Sequence, residues 1–110
     1  MPTPAKTTVH LRITGRVQGV GYRDWAQKTA HKLGLSGWVR NVTDGTVEAV
    51  AHGSVENVDQ FVGACQAGPM LARVTAVDKN VIDAPGSKSG FPETGFHNLG
   101  TFTPGEDPKA

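Results

Sequence analysis

Apolar residues alternate with polar ones before a short glycine-rich segment and recur at helical spacing after it. This change of period limits the possible folds more than any other feature of the sequence. In TVHLRIT, residues 8–14, apolar and polar side chains alternate, which predicts a half-buried β-strand. Between Tyr22 and Leu33 the apolar residues recur at helical spacing, and Gly34 follows where a helix commonly ends. The chain therefore begins with a strand, a glycine-rich loop and a helix.

The rest of the chain also alternates between strand and helix patterns. SGWVRNVTDGTVEAVAHG, residues 36–53, contains two β-rich runs around Asp44-Gly45, a dipeptide that suits a tight hairpin because both residues tolerate a positive φ. SVENVDQFVGACQAG, residues 54–68, predicts a second helix with Ser54 as its N-cap, and a strand follows in ARVTAVDKNVI. The order predicts an α+β, ferredoxin-like βαββαβ sandwich, an antiparallel sheet with both helices packed on one face.

One domain accounts for the whole length. We place it at residues 7–102, between flexible tails at 1–6 and 103–110, and we expect a loop at 83–95. FHNLGTF, residues 96–102, indicates an edge strand only weakly because Asn98 and Gly100 disfavour it.

Composition indicates the cellular compartment of the protein and whether it binds a metal. No segment has the apolar length of a signal peptide or membrane span, and the single cysteine, Cys65, excludes an internal disulfide. We therefore expect a cytoplasmic monomer with no membrane partner, and we expect Cys65 to be a small buried core residue. The four histidines have no short metal-type spacing, so we expect no metal and no other cofactor.

The net charge of +1 conceals an uneven distribution. Residues 6–43 contain seven basic residues and one acidic residue, a net charge of +6, whereas the remainder carries −5. The glycine-rich loop lies in the basic half. A loop of this kind before a helix exposes backbone N–H groups at the positive end of the helix dipole, which favours an anion such as phosphate. Arg23, in the first helical turn, can add a planar set of donors that matches phosphate oxygens.

The familiar nucleotide-binding motifs do not fit this loop. A Walker loop that starts at Gly15 needs glycine at position 20, which is valine, and a GxGxxG motif that starts at Gly19 needs glycine at position 24, which is aspartate. The loop therefore suits a small phosphate group better than a dinucleotide, although many glycine-rich loops are only tight turns.

Two long segments resemble the signatures of a known enzyme family. GRVQGVGYR, residues 15–23, and GWVRNVTDGTVEAVAHG, residues 37–53, closely resemble the two signature segments of acylphosphatases, and GPMLARV, residues 68–74, resembles the region after the family's second helix. The similarity extends over roughly residues 7–82, and the family's fold is the βαββαβ arrangement. One departure is near the C-terminus, where the family commonly has a Phe-x-Ile strand and this chain has Phe96 followed by HNLGTF.

The resemblance implies roles for individual residues. It makes Arg23 the phosphate-binding cation and Asn41 the side chain that positions the attacking water. The phosphate-binding loop that it implies consists of Gly15, Arg16, Val17, Gln18, Gly19, Val20, Gly21, Tyr22 and Arg23. The residues alone leave simpler interpretations open: Arg23 could be an exposed arginine at a helix start, and Asn41 could lie on an exposed sheet edge.

The implied reaction is the hydrolysis of small acyl phosphates to carboxylate and inorganic phosphate. Phosphoryl transfer depends mainly on positioning and electrostatic stabilisation, and a carboxylate leaves without a general acid. The alternative is a non-catalytic acylphosphatase-like module that binds phosphate or carbamoyl phosphate. A single-stranded RNA binder would stack bases on aromatic residues of its central strands, which TVHLRIT and TVEAVAH lack, so we expect no nucleic-acid partner. A metal carrier of similar fold would need a second cysteine.

Overall fold

The structure is a computed structural model that describes residues 5–82 and 95–103. Strands and helices follow the predicted order, and one further strand comes after them. The elements are β1 (Lys6–Arg16), α1 (Tyr22–Lys32), β2 (Ser36–Val42), β3 (Val47–Ser54), α2 (Val55–Cys65), β4 (Arg73–Ile82) and β5 (Phe96–Phe102). β1 begins at Lys6, one residue before the expected domain boundary. Most of both expected tails, and the expected loop up to residue 94, lie outside the described residues.

The five strands form one sheet in the order β4-β1-β3-β2-β5. All pairings among β1, β2, β3 and β4 are antiparallel, which confirms the ferredoxin-like arrangement. β5 runs parallel to β2, so the prediction of an antiparallel sheet is wrong for this one edge. The strand directions explain the difference: β4 ends at the side of the sheet where β2 begins, and a strand that starts from that side beside β2 must run parallel to it.

Both helices pack on the same face of the sheet and enclose the core. α1 lies over β2 and β5, and α2 lies over β1 and β3. The alternating residues Val9, Leu11 and Ile13 of β1 face the helices and are buried, as their spacing predicts. Phe61 of α2 packs edge-on against Phe96, with ring centroids 5.6 Å apart, so β5 belongs to the core. Neither helix of the described residues is long and apolar enough to cross a membrane.

Local sequence signals set the ends of the elements. Ser54 caps α2 by accepting a hydrogen bond from the Asn57 N–H at 3.1 Å, as predicted. The β2–β3 hairpin turns at Asp44-Gly45, but only Gly45 adopts a positive φ, of 99°. Asp44 contributes through its carboxylate instead, which accepts hydrogen bonds from the N–H and the hydroxyl of Thr46 at 3.0 and 2.7 Å. Asp44 therefore stabilises the turn through its side chain, without the positive φ that aspartate tolerates.

Candidate active site

A cavity of about 280 Å³ opens where the loop after β1 meets the start of α1 and the end of β2. Backbone and side chains from four parts of the chain line it. The lining residues are Val17, Gly19, Gly21, Tyr22, Arg23, Asp24, Asn41 and Asn98. Arg23 and Asn41 therefore share one cavity, although they belong to different elements.

The N-terminus of α1 faces this cavity. Gly21 is the N-cap residue in the left-handed conformation, with φ of 80°, and no side chain of the described residues caps the helix. The first intrahelical bond of this turn runs from the Trp25 N–H to the Gly21 carbonyl at 3.0 Å, which leaves the preceding amides of the helix without helical partners. These amides, at the positive end of the helix dipole, can donate to an anion in the cavity.

Arg23 is held in the cavity by a residue of the last strand. Its Nη1 donates a hydrogen bond to the Oδ1 of Asn98 at 3.1 Å. A guanidinium carries five N–H donors, so this bond orients the group and leaves other donors for an anion. Arg23 is half-buried, which limits the screening of its charge by water.

Asn41 lies inside the sheet and not on an edge, because β2 is flanked by β3 and β5. It pairs with Val47 on one side and with Thr101 on the other. Asn41 and Val39 are two residues apart on one strand and therefore face the same side of the sheet. Val39 is covered by the helices and fully buried, whereas Asn41 is half-buried and lines the cavity. The edge-strand explanation for an asparagine at position 41 is thus excluded.

Four residues of the predicted loop do not line the cavity. Gly15 forms an irregularity in the β1–β4 pairing with φ of 127°, and a Cβ there would collide with the Arg73 carbonyl oxygen. This glycine allows the close approach of β4. Arg16 is exposed at the end of β1, and Val20 packs against the core.

Gln18, the fourth of these residues, joins the loop to the hairpin. Its side-chain amide donates to the Val42 carbonyl at 2.7 Å and to the Thr46 carbonyl at 2.9 Å. The residue after Asn41 is therefore tied directly to the glycine-rich loop. Sequence spacing alone could not identify this contact, because both acceptors are backbone atoms of a distant segment.

Tyr22 lines the cavity but directs its hydroxyl away from solvent. The hydroxyl donates to the Cys65 carbonyl at 2.6 Å, and burial raises the pKa of Tyr22 well above its usual range. Burial also raises the pKa of the Cys65 thiol to about 12, and this cysteine is a buried core residue as predicted. Both groups therefore stay protonated near neutral pH, and neither supplies an anionic nucleophile.

Asn98 and Asp24 line the cavity but were missed by the sequence reasoning. Asn98 had only one signal, an asparagine in a segment of weak strand character, whereas Asn41 was identified by the resemblance to the family's signature segment. Asp24 places a carboxylate near the anion-binding groups, and this carboxylate lies 3.7 Å from the ammonium of Lys28. Among residues 5–82 and 95–103, no group of three or more potential metal ligands occurs.

The fold and this cavity define an α/β sandwich with an anion-binding loop at a helix N-terminus. The acylphosphatase family model matches residues 9–93. The chain is 49% identical over 83 residues to the acylphosphatase of Methylococcus capsulatus, covering 76% of this chain and 90% of that protein. It is 55% identical over 73 residues to the acylphosphatase of Thermococcus kodakarensis, covering 66% and 80%.

A solved structure agrees with these matches. The acylphosphatase from Coxiella burnetii superposes with a TM-score of 0.77 at 31% identity, covering 86% of this chain and 93% of that one. The chain belongs to the acylphosphatase family, and the enzyme class implied by its signature segments is confirmed.

Proposed function

We propose that this acylphosphatase cleaves the carboxyl–phosphate bond of small acyl phosphates by direct attack of water on phosphorus. The observation that carries the proposal is the shared cavity, in which Arg23 and Asn41 lie together at the uncapped start of α1. In such an attack a cation binds the phosphoryl group, and a neutral amide can orient the water.

The phosphoryl group binds to the backbone amides of the glycine-rich loop and to Arg23. Gly19 and Gly21 both have positive φ and line the cavity, so the backbone can approach the ligand without an intervening Cβ. The Asn98 side chain orients Arg23, whose remaining donors contact the equatorial oxygens. Charge accumulates on these oxygens in the loose transition state, where oriented donors stabilise it.

Asn41 holds the attacking water. Its side-chain amide provides both an acceptor and a donor, so it can accept a hydrogen bond from the water while its NH₂ group contacts a phosphate oxygen. The position of Asn41 inside the sheet restricts the motion of this amide, and the contact from Gln18 to Val42 adds a further restraint. A preorganised group of this kind lowers the entropic cost of the attack.

The reaction needs no general acid. Water forms the new bond to phosphorus, the bond between phosphorus and the acyl oxygen breaks, and a carboxylate leaves as a stable anion with an ordinary pKa near ~4. The ionisable side chains that line the cavity are Tyr22, Arg23 and Asp24, and the Tyr22 hydroxyl is occupied by the Cys65 carbonyl. The proton of the water passes to an oxygen of the substrate's own phosphate.

Steady-state hydrolysis of benzoyl phosphate in the presence of EDTA tests the proposal. We expect turnover by the wild type, and we expect Asn41→Ala to lower kcat by about 10²–10³. Arg23→Ala should raise KM and lower kcat, and Arg23→Lys should restore charge without the planar set of donors. Asn80→Ala, on the exposed part of β4, is the matched control and should retain wild-type rates.

Two outcomes would contradict the proposal. Loss of wild-type turnover on metal removal would exclude a metal-free mechanism. A folded wild type that binds inorganic phosphate without turnover would favour the non-catalytic module that binds phosphate or carbamoyl phosphate.

The proposal includes a cytoplasmic monomer that acts without a nucleic-acid partner. The free thiol of Cys65 fits a reducing compartment, and TVHLRIT and TVEAVAH lack the aromatic residues on which a single-stranded RNA binder stacks bases. Cell fractionation and sedimentation equilibrium test the first two statements. A shift in mobility of a labelled RNA at physiological salt would contradict the third.

A further inference from the structure

A second cleft, of about 410 Å³, adjoins the phosphate cavity. Gly19 lines both depressions, so the two meet at the tip of the glycine-rich loop. A Cβ at Gly19 would meet no atom within 4 Å, which shows that the space beside this residue is open. A substituent on a phosphate in the first cavity can therefore extend past Gly19 into the second cleft.

Two arginines lie side by side in the lining of this cleft. Arg16 at the end of β1 is the direct antiparallel partner of Arg73 at the start of β4, and both are exposed. Residues in direct register point to the same side of the sheet, and like charges in that arrangement destabilise the pair. Within the described residues, neither guanidinium takes part in an ion pair or a side-chain hydrogen bond.

Apolar side chains complete the cleft. Met70 and Leu71, between α2 and β4, are 97% and 69% exposed. The same cleft thus combines exposed carbon surface with two adjacent cationic groups, at the exit of a phosphate cavity. That combination is complementary to a short carbon chain that carries an anionic group at its far end.

We propose that this cleft is the acyl-group subsite and that Arg16 and Arg73 select acyl phosphates whose acyl group carries a second anion, such as a carboxylate. The inference rests on the proposed function, because the phosphoryl group must occupy the first cavity. Met70 and Leu71 contact the carbon chain, and the two guanidinium groups bind the terminal carboxylate. The bound anion also removes the repulsion between the two arginines.

Two substrates that differ at one end of the chain provide the test. Adipoyl phosphate and hexanoyl phosphate have the same six-carbon chain, with a carboxylate in the first where the second has a methyl group. The measured quantity is kcat/KM for adipoyl phosphate divided by kcat/KM for hexanoyl phosphate. In this ratio, an effect of a substitution on the chemistry at phosphorus cancels because both substrates share it. We expect Arg16→Gln/Arg73→Gln to lower this ratio roughly fivefold or more, with each single variant in between. The ratio and not the rate of either substrate is the criterion, because Arg16 belongs to the glycine-rich loop that binds the phosphoryl group.

Lys79→Gln separates a local contact from general attraction. Lys79 is exposed on β4, six residues from Arg73, which corresponds to about 20 Å along the strand. That separation exceeds the screening length of about 8 Å at physiological ionic strength. We therefore expect Lys79→Gln to keep the wild-type ratio, although it removes the same charge as either single variant.

Thermal unfolding supplies a second readout. Because the arginine pair is repulsive without ligand, neither single Arg→Gln variant should unfold at a lower temperature than the wild type. A ratio that stays within twofold of the wild type in the double variant, with both substrates turned over, would overturn the acyl-group subsite alone. An equal fall in the Lys79→Gln variant would also overturn it. If the wild type hydrolyses neither substrate, the proposed function is overturned and this inference with it.

Discussion

Substitution of Gln18 tests how the glycine-rich loop is held beside Asn41. The side-chain amide of Gln18 donates to two carbonyls of the hairpin, those of Val42 and Thr46, at 2.7 and 2.9 Å. Val42 directly follows Asn41. We therefore expect Gln18→Ala to lower the stability of the domain and to loosen the position of the Asn41 amide. The substitution removes no side chain that is proposed to contact phosphate.

The structure limits the size of the stability loss. Each of the two carbonyls also accepts a backbone hydrogen bond at 2.9 Å, from the Gly45 N–H and the Val42 N–H respectively. Neither carbonyl is left unsatisfied in Gln18→Ala, so only the net value of two hydrogen bonds is lost, about 1–3 kcal/mol. For a domain of this size, that loss lowers the unfolding temperature by roughly 5–15 °C.

Gln18→Glu separates hydrogen bonding from packing. The variant keeps the length of the side chain, but at pH 7 its carboxylate can donate no hydrogen bond and faces two carbonyl oxygens. Burial beside these oxygens raises the pKa of the introduced carboxyl in the folded state. Its protonated form can donate one bond, so stability is highest below the ordinary glutamate pKa and falls as the pH rises through the raised pKa.

Urea unfolding at pH 4 and pH 7 measures these differences. At pH 7 we expect the order wild type, Gln18→Ala, Gln18→Glu from most to least stable, with the two variants closer together at pH 4. Gln60→Ala, at an exposed position of α2, is the matched control and should stay within about 0.5 kcal/mol of the wild type. Equal stability of Gln18→Glu and the wild type at pH 7 would refute the role of the amide as a donor.

Three further substitutions test the close packing of two strands, the ion pairs of Glu48 and the charge of the cavity. Gly37→Ala should destabilise the domain by more than about 3 kcal/mol in urea unfolding, because φ is 139° and a Cβ would collide with a carbonyl of β3. Burial raises the pKa of Glu48, but hydrogen bonds from His10 and Arg40 outweigh it and lower the pKa overall. Its contribution is therefore complete above the ordinary pKa of 4.5 and is lost as the pH falls through the lower native value, so Glu48→Gln should flatten the acid limb of stability against pH. Asp24→Asn should lower the inhibition constant of inorganic phosphate roughly twofold, since it removes a negative charge from the cavity; an unchanged constant would contradict this.

Local signals were sufficient for most of the fold. The alternation at Val9, Leu11 and Ile13 predicts the buried face of β1, and Ser54 predicts the start of α2, because both depend on neighbours in sequence. β5 was only weakly indicated, since Asn98 and Gly100 disfavour a strand. Its formation depends on pairing with β2, more than 50 residues earlier, and on burial of one aromatic side chain in the core.

The candidate site, like the fold, was predicted where it depends on local sequence and not where it depends on distant contacts. A glycine-rich loop before a helix predicts an anion site from backbone chemistry alone, and Arg23 and Asn41 do line one cavity. Gly15 and Gln18 lie in the same motif but have structural contacts with β4 and the hairpin. A motif cannot distinguish a glycine that approaches a ligand from one that approaches a neighbouring strand, because both need the same missing Cβ.

The last strand links the two functional side chains through its register. β5 pairs with β2 at Val39 and again at Asn41, but the β5 partners, Asn98 and Thr101, are three positions apart where the β2 residues are two positions apart. The extra residue lies beside Gly100, with φ of 82°, in the manner of a β-bulge next to a site. Asn98 pairs with Val39 and therefore lies on the helix-covered side of the sheet, where its Oδ1 accepts the bond from Arg23. The orientation of the proposed phosphate-binding cation therefore depends on a strand that follows it by more than 70 residues.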